Sequence, residues 1–148
     1  MQHKIFVTLV IILLSASVIG CGRRTQVSGT VTFEDGTLLT VGNIKARTGD
    51  NEGEIRGNIA EDGTFVLFEV KPGDGIPAGK QYKVWIVNAI EKVPSTEMMM
   101  IEGRSIPAPP TNKQLIHRDY TTEHSTPLTL DVPKGSSNIT YDITVKVP

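Results

Sequence analysis

The sequence predicts an all-β protein in which a single seven-stranded β-sandwich follows an N-terminal export signal. Apolar and polar residues alternate with a period of two through most of the chain after residue 25, as in half-buried strands. Clusters of glycine, aspartate and proline separate these runs and supply turn residues. No stretch beyond the signal has the period of an amphipathic helix. Short strands joined by turns in a chain of 148 residues are typical of a sandwich.

The first element is an apolar N-terminal run with the features of a secretory signal. Lys4 precedes an apolar core over residues 5–20, and small residues stand just before Cys21. The run is shorter than the roughly 20 apolar residues of a membrane-spanning helix, although an uncleaved anchor and ordinary secretion are alternatives. We expect residues 1–20 to form a signal peptide and residues 21–25 to form a short tether.

The end of this run carries a lipidation motif. Val18-Ile19-Gly20-Cys21 resembles the lipobox of bacterial lipoproteins. The resemblance implies cleavage before Cys21, acylation of its thiol with chains such as palmitate, and attachment to a membrane of the cell envelope. Gly22, rather than an aspartate, follows the cysteine, which by the same resemblance favours the outer membrane over the inner one. Cys21 is the single cysteine of the chain, so no internal disulfide is available.

The next four elements are strands that alternate through two aspartate–glycine turns. They are predicted at residues 26–33, 42–47, 53–60 and 64–70. Asp35-Gly36 follows the first strand, and Asp62-Gly63 joins the third strand to the fourth. An Asp-Gly pair between alternating runs is the strongest short-range signal for a hairpin. The fourth run is apolar at both parities, so we expect a central strand covered on both faces.

Three further strands follow a break rich in proline and glycine at 71–79. They are predicted at residues 80–90, 128–132 and 139–147. The first of them is the longest, with Tyr82 and Ile86 on one face and Trp85 on the other, and its β-branched residues favour an extended backbone. The residues expected to be buried between the sheets are Phe33, Phe65, Leu67, Tyr82, Val84, Ile86, Leu130, Ile143 and Val145.

The segment 91–114 breaks this rhythm and is predicted to be a long loop. It contains four prolines and an apolar cluster. The cluster consists of Met98, Met99, Met100 and Ile101. Long loops in compact domains are usually functional or loosely ordered, and exposed apolar clusters often mark contact sites. We therefore expect a partner contact here, with Trp85 and Tyr120 as aromatic neighbours; alternatively, the cluster caps the sandwich and binds nothing.

Several motifs, in their order along the chain, resemble a family. These are Val27-Ser-Gly-Thr-Val-Thr-Phe-Glu-Asp-Gly-Thr37, then Gly63-Thr-Phe65, then Pro77-Ala-Gly-Lys-Gln-Tyr-Lys-Val84, and near the end Thr126-Pro-Leu-Thr-Leu-Asp-Val132. Behind a lipobox, this order resembles small planctomycete-type lipoproteins with one carboxypeptidase-regulatory-like or transthyretin-like domain. The resemblance implies an immunoglobulin-like or prealbumin-like β-sandwich over residues 26–148 and supplies no catalytic residues. The insertion before Leu115 departs from the family pattern.

Composition and motifs exclude several classes of function. The chain has 15 basic and 16 acidic residues and a formal net charge of −1, without the basic stripe that nucleic-acid binding needs. His117, Asp119 and His124 could supply metal ligands, and turn aspartates such as Asp35 and Asp62 could bind calcium. Solvated surface roles and turn chemistry account for both sets. We therefore predict no nucleic-acid partner, no metal, no cofactor and no catalytic residues.

Two classes of function remain. The first is a non-catalytic envelope lipoprotein that acts as a binding or scaffolding module for a protein, peptide or glycan. The second is a small periplasmic enzyme or carrier of transthyretin-like type that uses His117 and His124. The second class requires the two histidines to share a pocket with a polar partner.

Replacement of Cys21 tests the anchor. Cys21→Ser removes the thiol that would carry the lipid, and two or three acyl chains are what hold such a protein firmly at a membrane. We expect the variant to move from the membrane fraction to the soluble fraction when cells are fractionated. A variant that sediments with membranes as before would contradict lipid anchoring at this residue.

Overall fold

The computed structural model describes residues 24–50 and 53–148 and confirms an all-β fold. The predicted signal peptide and Cys21 lie outside the described residues. In chain order the strands are β1 Arg24–Phe33, β2 Asn43–Arg47, β3 Ile55–Asn58, β4 Thr64–Leu67, β5 Ile76–Pro77, β6 Lys80–Val87, β7 Ile90–Val93, β8 Met98–Ile101, β9 Arg104–Pro107, β10 Thr111–Gln114, β11 Thr129–Val132, β12 Asn138–Thr140 and β13 Ile143–Val145. Among the described residues the helical element is one 3-10 turn, Arg118–Tyr120, and no helix there is long and apolar enough to cross a membrane.

The first sheet is built around β1, which has neighbours on both edges. One edge pairs antiparallel with β4 and β5. The other edge pairs parallel with β12 and β13, so that Val27 lies beside Ile139 and Val31 lies beside Ile143. The last strands of the chain therefore run alongside the first, and β1 is hydrogen-bonded along nearly its whole length.

The second sheet is fully antiparallel, in the order β11-β6-β2-β3. The long strand β6 lies inside it, with Tyr82 opposite Leu130 on one side and Trp85 opposite Lys45 on the other. Burial alternates along β2, β3 and β11, as half-buried strands require. The two sheets pack face to face, and the side chains between them form one core.

The predicted Asp-Gly hairpin between the third and fourth strands is confirmed, and it joins the two sheets at a corner. The amide of Ala60 donates to the carbonyl of Thr64 at 2.8 Å, and Arg56 and Phe68 exchange two backbone bonds of 2.9 Å. The expectation that the fourth strand is covered on both faces is wrong. Along β4, Phe65 is buried while Val66 is 44% exposed, because only one face of this strand packs against the interior of the sandwich.

The final predicted strand is split in two by a close approach of backbones. Between β12 and β13, the amide of Tyr141 donates to the carbonyl of Ser28 at 2.8 Å, and the amide of Thr30 donates to Oδ1 of Asp142 at 2.9 Å. A Cβ atom at Gly29 would overlap the carbonyl oxygen of Tyr141. Glycine at this position thus allows β1 to remain next to the last strands at the break between β12 and β13.

The predicted core residues are confirmed with one exception. Those that are buried are Phe65, Leu67, Tyr82, Val84, Ile86, Leu130, Ile143 and Val145. Phe33 is only half-buried, because it ends β1 beside an exposed turn. The hydroxyl of the buried Tyr82 donates to the carbonyl of Pro77 at 2.9 Å, which satisfies the one polar group that this ring brings into the core.

The predicted loop at 91–114 is wrong, and the predicted count of seven strands is too low for the same reason. Residues 90–114, which we call the arm, form a β-ribbon. Its inner half pairs β7 with β10, and its outer half pairs β8 with β9. The four prolines interrupt both strands of the ribbon, so the sequence lacks the alternation that would predict them.

The arm leaves the sandwich at the end opposite to the start of β1. We call the end where Arg24 begins β1 the near end, and the end where Phe33 finishes β1 the far end. Val87, the last residue of β6, pairs with Asn43 at the start of β2. Asn43 lies next to the β3–β4 hairpin, which is hydrogen-bonded to the last part of β1. On the return, the amide of His117 donates at 2.8 Å to the carbonyl of Lys146, just beyond β13. Both roots of the arm therefore lie at the far end.

Truncation of Phe65 tests the packing of the core. Phe65 is 3% exposed between the sheets, so Phe65→Ala should lower the free energy of unfolding by about 3–5 kcal/mol, measured by denaturant titration. Val66→Ala on the outward face of the same strand is the control and should change it by less than about 0.5 kcal/mol. A cost below about 1 kcal/mol for Phe65→Ala would contradict its burial between the sheets.

Candidate functional site

The apolar cluster predicted as a contact site lies on the outer half of the arm. Met98, Met99, Met100 and Ile101 form β8, and their exposed fractions are 60%, 38%, 71% and 48%. Side chains that capped the sandwich would be buried against the sheets. The interpretation of this cluster as a cap is therefore wrong, and the cluster is a solvent-facing apolar surface.

Residues at the base of the arm close the far end of the core instead. Ala89 and Ile116 are fully buried, and the half-buried Leu115 packs against the core. The amide of Leu115 donates to the carbonyl of Ala89 at 2.9 Å, which clamps the two roots together. The base thus belongs to the sandwich, whereas the outer half of the arm does not contribute to its core.

The two halves of the arm differ in register by one residue. The inner ladder ends with Val93 opposite Thr111, and the outer ladder begins with Met98 opposite Pro107. Four residues lie between the ladders on the outgoing strand and three on the return strand. Such an inequality is a bulge, which bends a ribbon and increases its twist. Three of the four prolines fall in this bulge, where no regular ladder has to be maintained.

A tight turn closes the tip of the arm. Glu102 and Gly103 have φ values of 50° and 77°, as in a two-residue type I′ turn. The turn folds β9 back onto β8 and adds Ile106, which is 39% exposed, to the apolar surface. Sequence reasoning missed Ile106. The signal that could have found it is the Glu-Gly pair between two short runs of equal length.

Directly opposite residues of an antiparallel ladder share a face, so each face of the outer ribbon can be assigned. One face carries Met98, Met100, Ser105 and Pro107. The other face carries Met99, Ile101, Arg104 and Ile106. Both faces are mainly apolar, and neither is covered by another described part of the chain, since all eight side chains are exposed.

The two aromatic residues predicted beside this surface do not lie in it. Trp85 is 6% exposed on the outer face of β6, with the guanidinium carbon of Arg47 6.0 Å from its ring centre. Arg47 is held there by Glu123 at 3.1 Å and Glu54 at 3.6 Å. Tyr120 is 8% exposed and packs into the core from the 3-10 turn. The prediction that these rings take part in an exposed contact is wrong, because both are buried.

His117 and His124 occupy the loop around the 3-10 turn. The Nδ1 atom of His117 accepts from the amide of Asp119 at 3.4 Å and lies 3.2 Å from its Oδ2, so His117 caps this turn. His124 is exposed, and its neighbour Ser125 donates to the carbonyl of Asp119 at 3.0 Å. Within residues 24–50 and 53–148, no group of three His, Cys, Asp or Glu side chains is placed to hold a metal ion.

Two surface depressions of the described residues lie at the near end. One, of about 260 Å³, is lined by Thr48, Gly49, Asp50, Lys80 and Gln81. The other, of about 320 Å³, is lined by Gly79, Lys80, Gln81, Asp131, Val132 and Pro133. The ammonium of Lys80 lies 3.7 Å from the carboxylate of Asp50. Neither of these two depressions has a histidine among its described lining residues, so neither joins His117 to His124.

The turn aspartates serve the backbone. Oδ1 of Asp62 accepts from the hydroxyl of Thr64 at 2.6 Å and from its amide at 3.0 Å. Asp35 makes the same pair of bonds to Thr37, at 2.6 and 2.9 Å. In each case the threonine hydroxyl, and then the amide, stabilises the carboxylate and lowers the pKa of the aspartate. The two Glu-Asp-Gly-Thr segments, at 34–37 and 61–64, thus form equivalent turns at the far end.

Comparison with known proteins finds structural likeness at low sequence identity. No protein-family model matches the chain, and no curated protein matches it. Solved structures that match include BcpA, the major pilin subunit of Bacillus cereus, at 12% identity and a TM-score of 0.49, over 83% of this chain and 30% of the pilin. A 9R-lipoxygenase from Cyanothece PCC8801 matches at 14% identity and a TM-score of 0.33, over 90% of this chain and 18% of the lipoxygenase. This chain spans less than a third of the length of either protein.

The bonds of Asp62 predict a measurable titration. Its pKa in the folded state should lie below the unfolded value of about 3.9, so the stability it contributes is present above that value and is lost as the pH falls through the folded pKa. Thr64→Val removes the hydroxyl and should raise the pKa of Asp62, as followed by NMR of the carboxyl carbon. Asp35 is the internal control and should not change. An Asp62 pKa at or above about 3.9 in the unaltered chain would contradict the turn geometry.

Proposed function

We propose that this protein is a non-catalytic lipoprotein of the cell envelope, anchored through a lipid on Cys21, that binds a protein partner with its arm. The observation that carries this proposal is the exposed apolar ribbon at the far end of the sandwich. Five apolar side chains of its outer half are between 38% and 71% exposed. They add nothing to the core, so a contact with another molecule accounts for them better than folding does.

The position of the arm fits an anchored module. β1 begins at Arg24, only three residues after Cys21, so a lipid there would hold the near end of the sandwich at the membrane. The arm leaves from the opposite end and would face away from the membrane. The near end carries exposed Lys71 and Lys134 beside exposed Asp50 and Asp131, so its charge is mixed. Anchor and contact surface are thus separated by the length of the domain.

The chemistry of the arm favours a protein or peptide over a glycan. Residues 90–114 contain no aromatic side chain on which a sugar ring could stack. Methionine side chains are flexible and polarizable, and they adapt well to apolar surfaces of other proteins. Main-chain groups along a two-stranded ribbon offer a second means of recognition to a polypeptide partner.

The resemblance to planctomycete-type lipoproteins supports the same role, and by that resemblance Gly22 after the cysteine favours the outer membrane over the inner one. The alternative, a transthyretin-like enzyme or carrier, would depend on His117 and His124. His117 caps the 3-10 turn, and neither histidine is among the described lining residues of the two depressions at the near end. No observation favours this alternative over a binding module.

Replacement of the outer arm tests the proposed function. A protein whose residues 96–108 are replaced by a short Gly-Ser linker keeps the base residues Ala89, Leu115 and Ile116, so its thermal unfolding midpoint should be unchanged. We expect it to lose the envelope proteins that the intact chain retains in pull-down experiments from envelope extracts. The control is Val66→Ser with Val70→Ser, which removes exposed apolar side chains from another part of the surface.

Three results would contradict the proposal or its premises. Identical partners for the intact and arm-replaced proteins would show that the arm is not the contact. Loss of partners in the Val66 and Val70 control as well would show that general surface apolarity, rather than the arm, had captured them. Loss of folding in the arm-replaced protein would show that the outer arm contributes to the sandwich, contrary to its exposure.

A further inference from the structure

The two edges of the outer arm ladder are not equivalent. The amide of Ala108 donates to the carbonyl of Glu97 at 2.9 Å, and Ile101 and Arg104 flank the two-residue turn. Backbone groups in an antiparallel ladder alternate in direction, so the odd-numbered positions of β8 bond to β9. The amide and carbonyl groups of Met98 and Met100 therefore point to the opposite edge. In the described part of the chain, β8 pairs with β9 alone.

The edge of β9 is protected against further pairing, whereas the edge of β8 is not. By the same alternation, the outward groups of β9 belong to Ser105 and Pro107, and Pro107 has no amide hydrogen to donate. Natural proteins guard exposed edges with proline, charge or a bulge. Within Met98–Ile101 there is no proline and no charged residue, and the bulge lies before it. One edge of the ribbon thus remains competent to accept another strand.

Charge at the two ends of β8 indicates what kind of strand fits. Glu97 precedes the strand and Glu102 follows it, with four apolar residues between them. Opposite charges on neighbouring strands stabilise a pair, and like charges destabilise it. A second copy of this chain, paired through the same edge, would bring its own Glu97 and Glu102 to the pair and no basic residue within 97–102 to neutralise the carboxylates. A strand with a basic residue at each end would instead neutralise both carboxylates.

We propose that the β8 edge accepts an added β-strand from the partner polypeptide, and that this strand is extended, apolar in its centre and flanked by lysine or arginine. The inference rests on the proposed function, since it specifies how the arm makes its contact. Main-chain bonds to Met98 and Met100 supply affinity that does not depend on sequence. The methionine side chains select apolar residues, and Glu97 and Glu102 select the basic flanks and the register.

A synthetic peptide provides the direct test. The probe is a peptide of alternating threonine and valine with a lysine at each end, added to the lipidated protein purified from membranes in detergent. We expect the amides of Met98 and Met100 to show slowed hydrogen exchange by NMR, while the amide of Ser105 does not change. The same peptide with glutamate at each end should bind at least about tenfold more weakly.

Proline substitutions separate the two edges. Met100→Pro removes an outward amide of β8, and Ser105→Pro removes an outward amide of β9, at positions where an edge strand tolerates proline. We expect Met100→Pro to weaken peptide binding by at least about tenfold and Ser105→Pro by less than about twofold. Met100→Ala keeps the amide and should fall between them. Glu97→Lys leaves the backbone intact and should shift preference toward the glutamate-flanked peptide.

The outcomes distinguish this inference from the function on which it rests. Equal loss of binding in Met100→Pro and Met100→Ala would overturn strand addition, because the side chain and not the edge would then carry the contact. Concentration-dependent dimers of the intact chain that Met100→Pro abolishes would assign the edge to a second copy instead. If arm replacement removes envelope partners while Met100→Pro retains them, the arm remains the contact but the edge mechanism is overturned. If neither variant loses partners, the proposed function fails as well.

Discussion

The structure depends on the hydrogen bonding of β1 along both of its edges. This strand joins the start of the described chain to its end through β12 and β13, and to its middle through β4 and β5. Pairs so distant in sequence are costly to form, because long loops must close before the contacts exist. Gly29 is essential to this arrangement, since any side chain there would meet the backbone at Tyr141. The second sheet then has a fixed surface against which to pack.

The far end of the sandwich combines stability with a surface for contact. Ala89 and Ile116 are buried in the core, yet they lie at the two roots of a ribbon whose outer half is exposed. The residue before this base, Asn88, has a φ of 57°, a left-handed conformation that asparagine tolerates better than most residues. It redirects the chain from β6 into the arm. A buried base therefore supports a two-stranded ribbon, a structure that is only marginally stable in isolation, without loss to the core.

A cross-strand charge pair stabilises the inner half of the arm, whereas prolines act in the bulge and the outer half. In the inner half, Glu91 lies opposite Lys113, a cross-strand pair of opposite charge that stabilises the ladder modestly. In the outer half the charged residues Glu97 and Glu102 flank an uncharged strand. Pro107 closes one edge, and the prolines of the bulge separate the two halves. Prolines ordinarily mark a loop, but here they belong to a ribbon whose β8 edge is unpaired within the described part of the chain.

Alternation and Asp-Gly turns were sufficient to predict the all-β class, the β3–β4 hairpin and most of the core, because these depend on neighbouring residues. The apolar cluster at 98–101 was found for the same reason. What the tertiary structure alone decided involves distant partners: the burial of Leu39, Ile76 and Ile116, which the alternation did not predict, and that of Trp85 beneath Arg47. The pairing of 90–101 with 104–114 was also hidden, since prolines interrupt the alternation and register is set across strands. Local patterns determine which residues form strands, but the edges that remain open depend on which strands meet.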